Sequence, residues 1–178
     1  MKLKTLLYGI LLTACLITTP YSQAAAYIKF DGIDGEATDA QHDKWIDVLS
    51  TDWGIAMERD AASGLPTGKR QHKPVSVTKP LDKASPKLME AITTGRFYPT
   101  VTIHLTRQIG DSTVTYLEYE LKSVSVTSWS TSGDADDRPT EEVSLNYEEI
   151  IMTYSEYDES GQLKGKVEAS WKLEEGTR

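Results

Sequence analysis

The chain has 178 residues, 39% of them hydrophobic and 26% charged, which suits one soluble domain that can bury a core without disulfides or a metal. Its formal net charge is −8, and the residues after the first 24 carry −10, with 17 basic against 27 acidic side chains. Such an acidic body repels nucleic acid and anionic lipid, so neither is an expected partner.

The first 24 residues have the anatomy of a cleaved export signal. Lys2 and Lys4 form a positive start, residues 6–18 an apolar run too short to span a bilayer comfortably, and residues 19–24 a polar end with small residues before the cut. Cleavage is expected after Ala24, and the run Ala24-Ala25-Ala26 allows a slip of one or two residues. Leu12-Thr13-Ala14-Cys15 also resembles a lipobox, which would lipidate Cys15 and make it the mature N-terminus. Ordinary cleavage is the favoured reading, because the apolar run before Cys15 is short. Cys15 is the single cysteine, so no intramolecular disulfide can form.

From residue 25 to 178 a single domain is expected, with short β-type runs separated by turn residues. Residues 27–30 read as a strand and 31–35 as a turn. Residues 45–57 read as a strand covered on both faces, or one with a bulge. Residues 58–73 hold Gly64, Pro66, Gly68 and the basic cluster Lys69-Arg70-Gln71-His72-Lys73, with no periodicity. They read as a long exposed loop, a length that is usually functional. Residues 75–78 are a short strand. Ser85-Pro86 then opens the one expected helix as N-cap and first helical residue, and Gly95 closes it.

Residues 100–107 alternate with Val101, Ile103 and Leu105 on one side. Two strands are expected within 113–129, a loop at 132–137, and a strand over 143–157 whose parity shift places a bulge near Glu148 and Glu149. In the last strand Val167, Ala169, Trp171 and Leu173 alternate with charged residues, which reads as half-exposed.

No arrangement of residues carries catalysis. There is no nucleophile elbow, zinc-protease motif or phosphate loop, and no cofactor is expected. His42 lies in a polar stretch and His104 on the polar side of a strand, so both read as surface residues, while His72 belongs to the basic loop. Asp31, Asp34, Glu36 and Asp39 lack the spacing of a calcium loop, and Asp134, Asp136 and Asp137 read as solvated. The four tryptophans read as core residues, with an interface as the second choice.

Three segments in register resemble the haemolysin-coregulated protein (Hcp) family of type VI secretion. They are Ile28-Lys29-Phe30-Asp31-Gly32-Ile33-Asp34-Gly35-Glu36 with His42-Asp43-Lys44-Trp45-Ile46-Asp47-Val48-Leu49-Ser50, then Lys79-Pro80-Leu81-Asp82-Lys83-Ala84-Ser85-Pro86-Lys87-Leu88-Met89, then Asp137-Arg138-Pro139-Thr140-Glu141-Glu142-Val143-Ser144-Leu145-Asn146-Tyr147. The resemblance implies a compact two-sheet β-barrel with one flanking helix. It also implies six-membered rings that stack into a tube in a Gram-negative bacterium, with spike, sheath and effector proteins as partners. The 58–73 segment matches that family's extended loop, which reaches neighbouring subunits.

On this reading Lys69, Arg70 and Lys73 meet Asp134, Asp136 and Asp137 of the next copy, with Met57, Arg59 and Leu65 as further contacts. The export signal departs from the family pattern and points to a secreted or periplasmic location. The alternative reading is an exported binding module that keeps the fold outside a tube.

Overall fold

The computed structural model describes residues 24–133 and 137–173. The export segment, apart from Ala24, and the residues Asp134 and Asp136 therefore lie outside the described residues. The strands are β1 (Ala25–Phe30), β2 (Ile46–Val48), β3 (Ser50–Asp52), β4 (Ile55–Arg59), β5 (Pro66–His72), β6 (Val75–Pro80), β7 (Phe97–Ile109), β8 (Ser112–Ser132), β9 (Thr140–Asn146), β10 (Glu149–Tyr157) and β11 (Leu163–Lys172). The helix is α1 (Ser85–Thr94).

One large antiparallel sheet runs in the order β2-β1-β7-β8-β9-β6-β3, with β10 and β11 continuing from β8. Its two outer strands, β2 and β3, are consecutive in the chain, so the sheet wraps around one core. A second sheet holds only β4 and β5. The mainly β body with one helix agrees with the expected barrel.

The core follows from strand alternation. Val101 and Ile103 of β7 point inward onto Ile28 and Phe30 of β1, Leu121 of β8, Val143 and Leu145 of β9, and Val75 and Val77 of β6. Leu88 of α1 closes one end, and Phe30 meets Tyr98 edge-on at 5.2 Å.

Where local pattern and tertiary pairing disagree, pairing decides. Residues 45–57 are three short strands rather than one, because β2 pairs with β1, β3 pairs with β6, and β4 leaves for the hairpin. Residues 112–132 are one long strand, not two, and it bends at Ser123, whose φ is 51°. The expected bulge near Glu148 is a full break between β9 and β10 opposite that bend, where Glu148 N–H still donates to Lys122 O at 3.0 Å. His42 is 1% exposed and His104 is half-buried, contrary to the surface reading, because their rings bond to each other across the fold.

The helix start also differs. Ala84, not Ser85, occupies the N-cap position, and Asp82 Oδ1 accepts the Ala84 N–H at 3.0 Å. The Ser85 hydroxyl is directed inward instead and donates to Glu141 Oε2 at 2.6 Å. Lys79 Nζ sits between Asp82 Oδ1 and Glu141 Oε2, 2.7 Å from each, and donates to Pro80 O at 2.7 Å. Lys79 and Glu141 are both fully buried, so the helix start is tied to β6 and β9 by a buried ionic network, in which Glu141 Oε2 is bonded and Oε1 has no partner among the described residues. Gly95 ends the helix with φ 65°, as expected.

Gly35 is required for a different reason. A Cβ there would lie 2.2 Å from Trp45 O, a backbone atom that cannot move aside. Gly35→Ala is therefore expected to cost at least about 2 kcal/mol in urea unfolding, the scale of core overpacking.

Candidate assembly surface

The 58–73 segment is not an irregular loop: most of it, together with residues 55–57, forms the β4–β5 hairpin. Ile55 pairs with His72, Ala56 with Gln71, Met57 with Arg70, and Arg59 with Pro66. Periodicity is missing because the arm stands away from the core, and every residue of β4 is exposed. The tip is locally organised. Asp60 Oδ1 accepts the N–H of Ser63 at 2.7 Å, the N–H of Ala62 at 3.1 Å and the Ser63 hydroxyl at 2.8 Å. These bonds, the Ser63 N–H foremost, hold its carboxyl below the usual range. Gly64 takes φ 68°, and Arg59 Nη1 donates to its carbonyl at 3.2 Å.

The base of the hairpin is anchored by aromatic rings. Trp53 Nε1 donates to Tyr147 Oη at 2.6 Å, and that hydroxyl lies 3.4 Å from His72 Nδ1. His72 stacks on Trp171 of β11 at 6.0 Å and 15°. Burial, chiefly, and the charge of Arg70 push its imidazole below the ordinary histidine range, so the ring is neutral at neutral pH. Arg70 lies over the Trp171 ring, 5.1 Å from its centre. Between hairpin and sheet is an open cavity of about 490 Å³, walled by Trp53, Ile55, Met57, Ile150, Met152 and Trp171.

The apolar wall continues outward along β10 and β11. Ile150 pairs with Trp171, Met152 with Ala169, and Tyr154 with Val167. Along this stripe burial falls away, until Tyr154 is 42% exposed and Val167 is 70% exposed. The last strand is thus far less covered than its alternation suggests, since among the described residues β11 pairs only with β10. A large unpartnered apolar face beside an open strand edge is the feature of this molecule most suited to holding another protein chain.

Of the sequence-derived contact residues, two line this cavity and the other described ones lie elsewhere. Met57 and Arg70 are cross-strand neighbours at the cavity. Arg59 and Leu65 sit at the hairpin tip, Leu65 65% exposed, and Lys73 is exposed at the base. Lys69 lies on β5, and Asp137 is exposed, accepting the Arg138 N–H at 2.7 Å. Trp53, Tyr154, Val167 and Trp171 complete the face; the sequence offered an interface only as second choice for the two tryptophans and gave no contact role to Tyr154 or Val167. The signal for Val167 and Trp171 is the apolar alternation of 167–173, which has the same form whether it faces a core or a partner. Among the described residues no group of three or more His, Cys, Asp or Glu is placed to hold a metal ion, and no helix is long and apolar enough to cross a membrane.

Comparison with known proteins gives a consistent result. The family model described as "Type VI secretion system effector, Hcp" matches residues 27–154. Protein hcp1 of Pseudomonas aeruginosa is 33% identical over 156 residues, covering 85% of this chain and 96% of its own length. A solved structure of a type six secretion system protein superimposes with a TM-score of 0.80 at 36% identity, over 87% of this chain and 99% of that one. The Hcp1 protein of the E. coli EAEC 042 pathovar gives a TM-score of 0.70 at 27% identity, over 84% and 97% of the two chains.

Proposed function

The chain belongs to the Hcp family of type VI secretion system proteins, and from that premise we propose that it works as a ring of six copies, stacked into a tube that carries effector proteins. The observation that carries this reading is the apolar face from the hairpin base to the β11 edge, which a single copy leaves uncovered. Burying Val167, Tyr154, Met57 and Ile55 against a neighbour supplies association energy at roughly 25 cal/mol per Å² of apolar surface. The hairpin, internally bonded and free of the core, supports a role as an arm that reaches the next copy. The work is structural rather than catalytic. Spike and sheath components are the further partners this reading requires.

Basic residues on the arm add steering. Reversing charge with Lys69→Glu and Arg70→Glu together is expected to weaken ring formation, since Arg70 also leaves Trp171. Exposed ion pairs contribute only about 0–1 kcal/mol each, so the expected loss is modest, roughly tenfold in association. Sedimentation at two salt concentrations checks this, and rings unaffected by the double change would dismiss the charge contact with the 134–137 patch.

The N-terminal segment favours a second role for the same fold, a ring or binding module working after export, secreted or periplasmic. Cleavage after Ala24 would leave β1 whole from Ala25, whose carbonyl accepts the Thr106 hydroxyl at 3.1 Å. A lipid anchor at Cys15 is the competing outcome. N-terminal sequencing of protein recovered from cell fractions, with electron microscopy of the same samples, tests both readings. Rings that start near residue 25 support the exported form. Rings that start at residue 1, found only in the cytoplasm, would overturn the signal and keep the tube. Single copies in every fraction would overturn the ring.

A further inference from the structure

Away from the hairpin and β11, four titratable side chains form one row. His42 Nδ1 lies 2.6 Å from Asp39 Oδ1, His42 Nε2 lies 2.9 Å from His104 Nδ1, and His104 Nε2 lies 2.9 Å from Glu118 Oε2. A carboxylate stands at each end and two imidazoles stand between. We infer that His42 and His104 share a single added proton, and that this proton latches residues 35–45 onto β1, β7 and β8 as an acid-sensitive catch.

Each end carboxylate accepts, so both outer ring nitrogens must carry hydrogen. The two inner nitrogens face each other at hydrogen-bond distance and need one hydrogen between them. That makes three ring protons, whereas two neutral imidazoles hold two. The row closes with one positive charge on the pair, between two negative ends. With one proton fewer, two lone pairs oppose each other somewhere in the row. With one more, two N–H groups meet head-on in the middle.

The surroundings suit a cation. Tyr27 of β1 stacks on His42 at 4.3 Å and 8°, and Trp45 meets His42 at 5.0 Å and His104 at 4.6 Å. Asp39, held below its usual range foremost by the His42 hydrogen bond, stays ionised. The other charged groups near the row are Lys29 of β1, 5.6 Å from the Trp45 ring centre, Asp47 of β2 on the Tyr27 side, and Lys166 and Glu168 of β11, which share a polar hollow with Glu118.

The segment held is a small unit of its own. Gly35 N–H donates to Lys44 O at 2.7 Å, Ala37 N–H to Trp45 O at 3.0 Å and Lys44 N–H to Ala37 O at 3.0 Å. His42 is its side-chain tie to β7, while Glu36 at the other end accepts the Lys83 N–H at 3.0 Å and pairs with Arg138 at 2.8 Å.

The direction of the response follows from His104. Burial, chiefly, pushes it below the ordinary histidine range, Glu118 acts in the opposite sense, and His42 lowers it further. With the shared proton already on the pair, His104 thus takes up the next one less readily folded than unfolded. The stability it contributes is fully present above the unfolded value of about 6.5 and is lost as pH falls through the folded value. In acid the fourth proton enters at His104 Nδ1 and separates the two rings.

The full chain, labelled with ¹⁵N at histidine, provides the test, with H42Q and H104Q variants to assign the spectra. Three ring protons across His42 and His104 at pH 7 are expected; two would overturn the shared proton. Hydrogen exchange at the Ala37 and Lys44 amides, corrected for intrinsic rate, should accelerate from pH 7 to 5 by up to about tenfold per pH unit, the limit for one linked proton. H104Q should lack this acceleration, and an equal acceleration in both proteins would overturn the catch. Should H104Q not fold, Glu118→Leu serves in its place. It removes an end acceptor and should drop the pair to two ring protons at pH 7; three would overturn the row.

Discussion

Val167→Asp is expected to turn rings into single copies while leaving each copy folded. Val167 is 70% exposed on the outermost strand, where it meets only Tyr154 across the ladder. In a single copy the new carboxylate stays in water, so unfolding free energy should shift by no more than about 1 kcal/mol, the span of strand preferences at exposed sites. Between copies the same group is desolvated against an apolar neighbour with no partner. A buried, unpaired charge costs roughly 3–5 kcal/mol, which is more than a hundredfold in association. Sedimentation checks the assembly and urea unfolding checks the fold. Rings of normal size from folded V167D protein would remove this face from the contact.

Lys79→Met is expected to have the largest effect on stability of any substitution away from the assembly face. The side chains are similar in length, so packing changes little. The loss is electrical, because Asp82 and Glu141 then sit buried without the ammonium that lies 2.7 Å from each. Stranding buried carboxylates costs about 3–5 kcal/mol, against roughly 5–15 kcal/mol for the whole stability of an ordinary domain. The urea midpoint should fall with the slope of the transition unchanged. Lys79→Met combined with Glu141→Leu removes both members of the pair and should recover at least half of the loss. A double variant as weak as the sum of its parts would show that the network stabilises through something other than pairing.

That network also shows how much of the fold the sequence made legible. Lys79, Asp82 and Ser85 stand out as a spaced motif, and Glu141 belongs to another motif more than fifty residues on. The resemblance to a family could be read from them directly. Their physical meaning, one buried ionic network, needed β6 and β9 to be paired. Strands with one buried face, such as 100–107, were equally legible, because alternation records which side meets the core. The end of α1 at Gly95 could be read from the glycine alone.

What escaped the reading shares a cause. The β4–β5 arm has solvent on both faces, so it carries no period and resembled a loop. Val167, Ala169 and Trp171 alternate as a core strand would, yet only Trp171 is half-buried. Local pattern records that one side prefers to be dry; it does not record whose chain dries it. His42 and His104 looked like surface residues because each lies among polar neighbours, and their contact joins positions 62 residues apart. Of the assembly face, Met57 and Arg70 could be found from the arm's composition, while Tyr154 and Val167 could not.

The central claim is that this chain forms closed rings through its uncovered apolar face. Native mass spectrometry of protein purified from the producing cells, over a hundredfold range of concentration, measures it most directly. One dominant species of six chains is expected, persisting on dilution and lost in V167D. A single-chain mass across the whole range, at low as well as high salt, would contradict it.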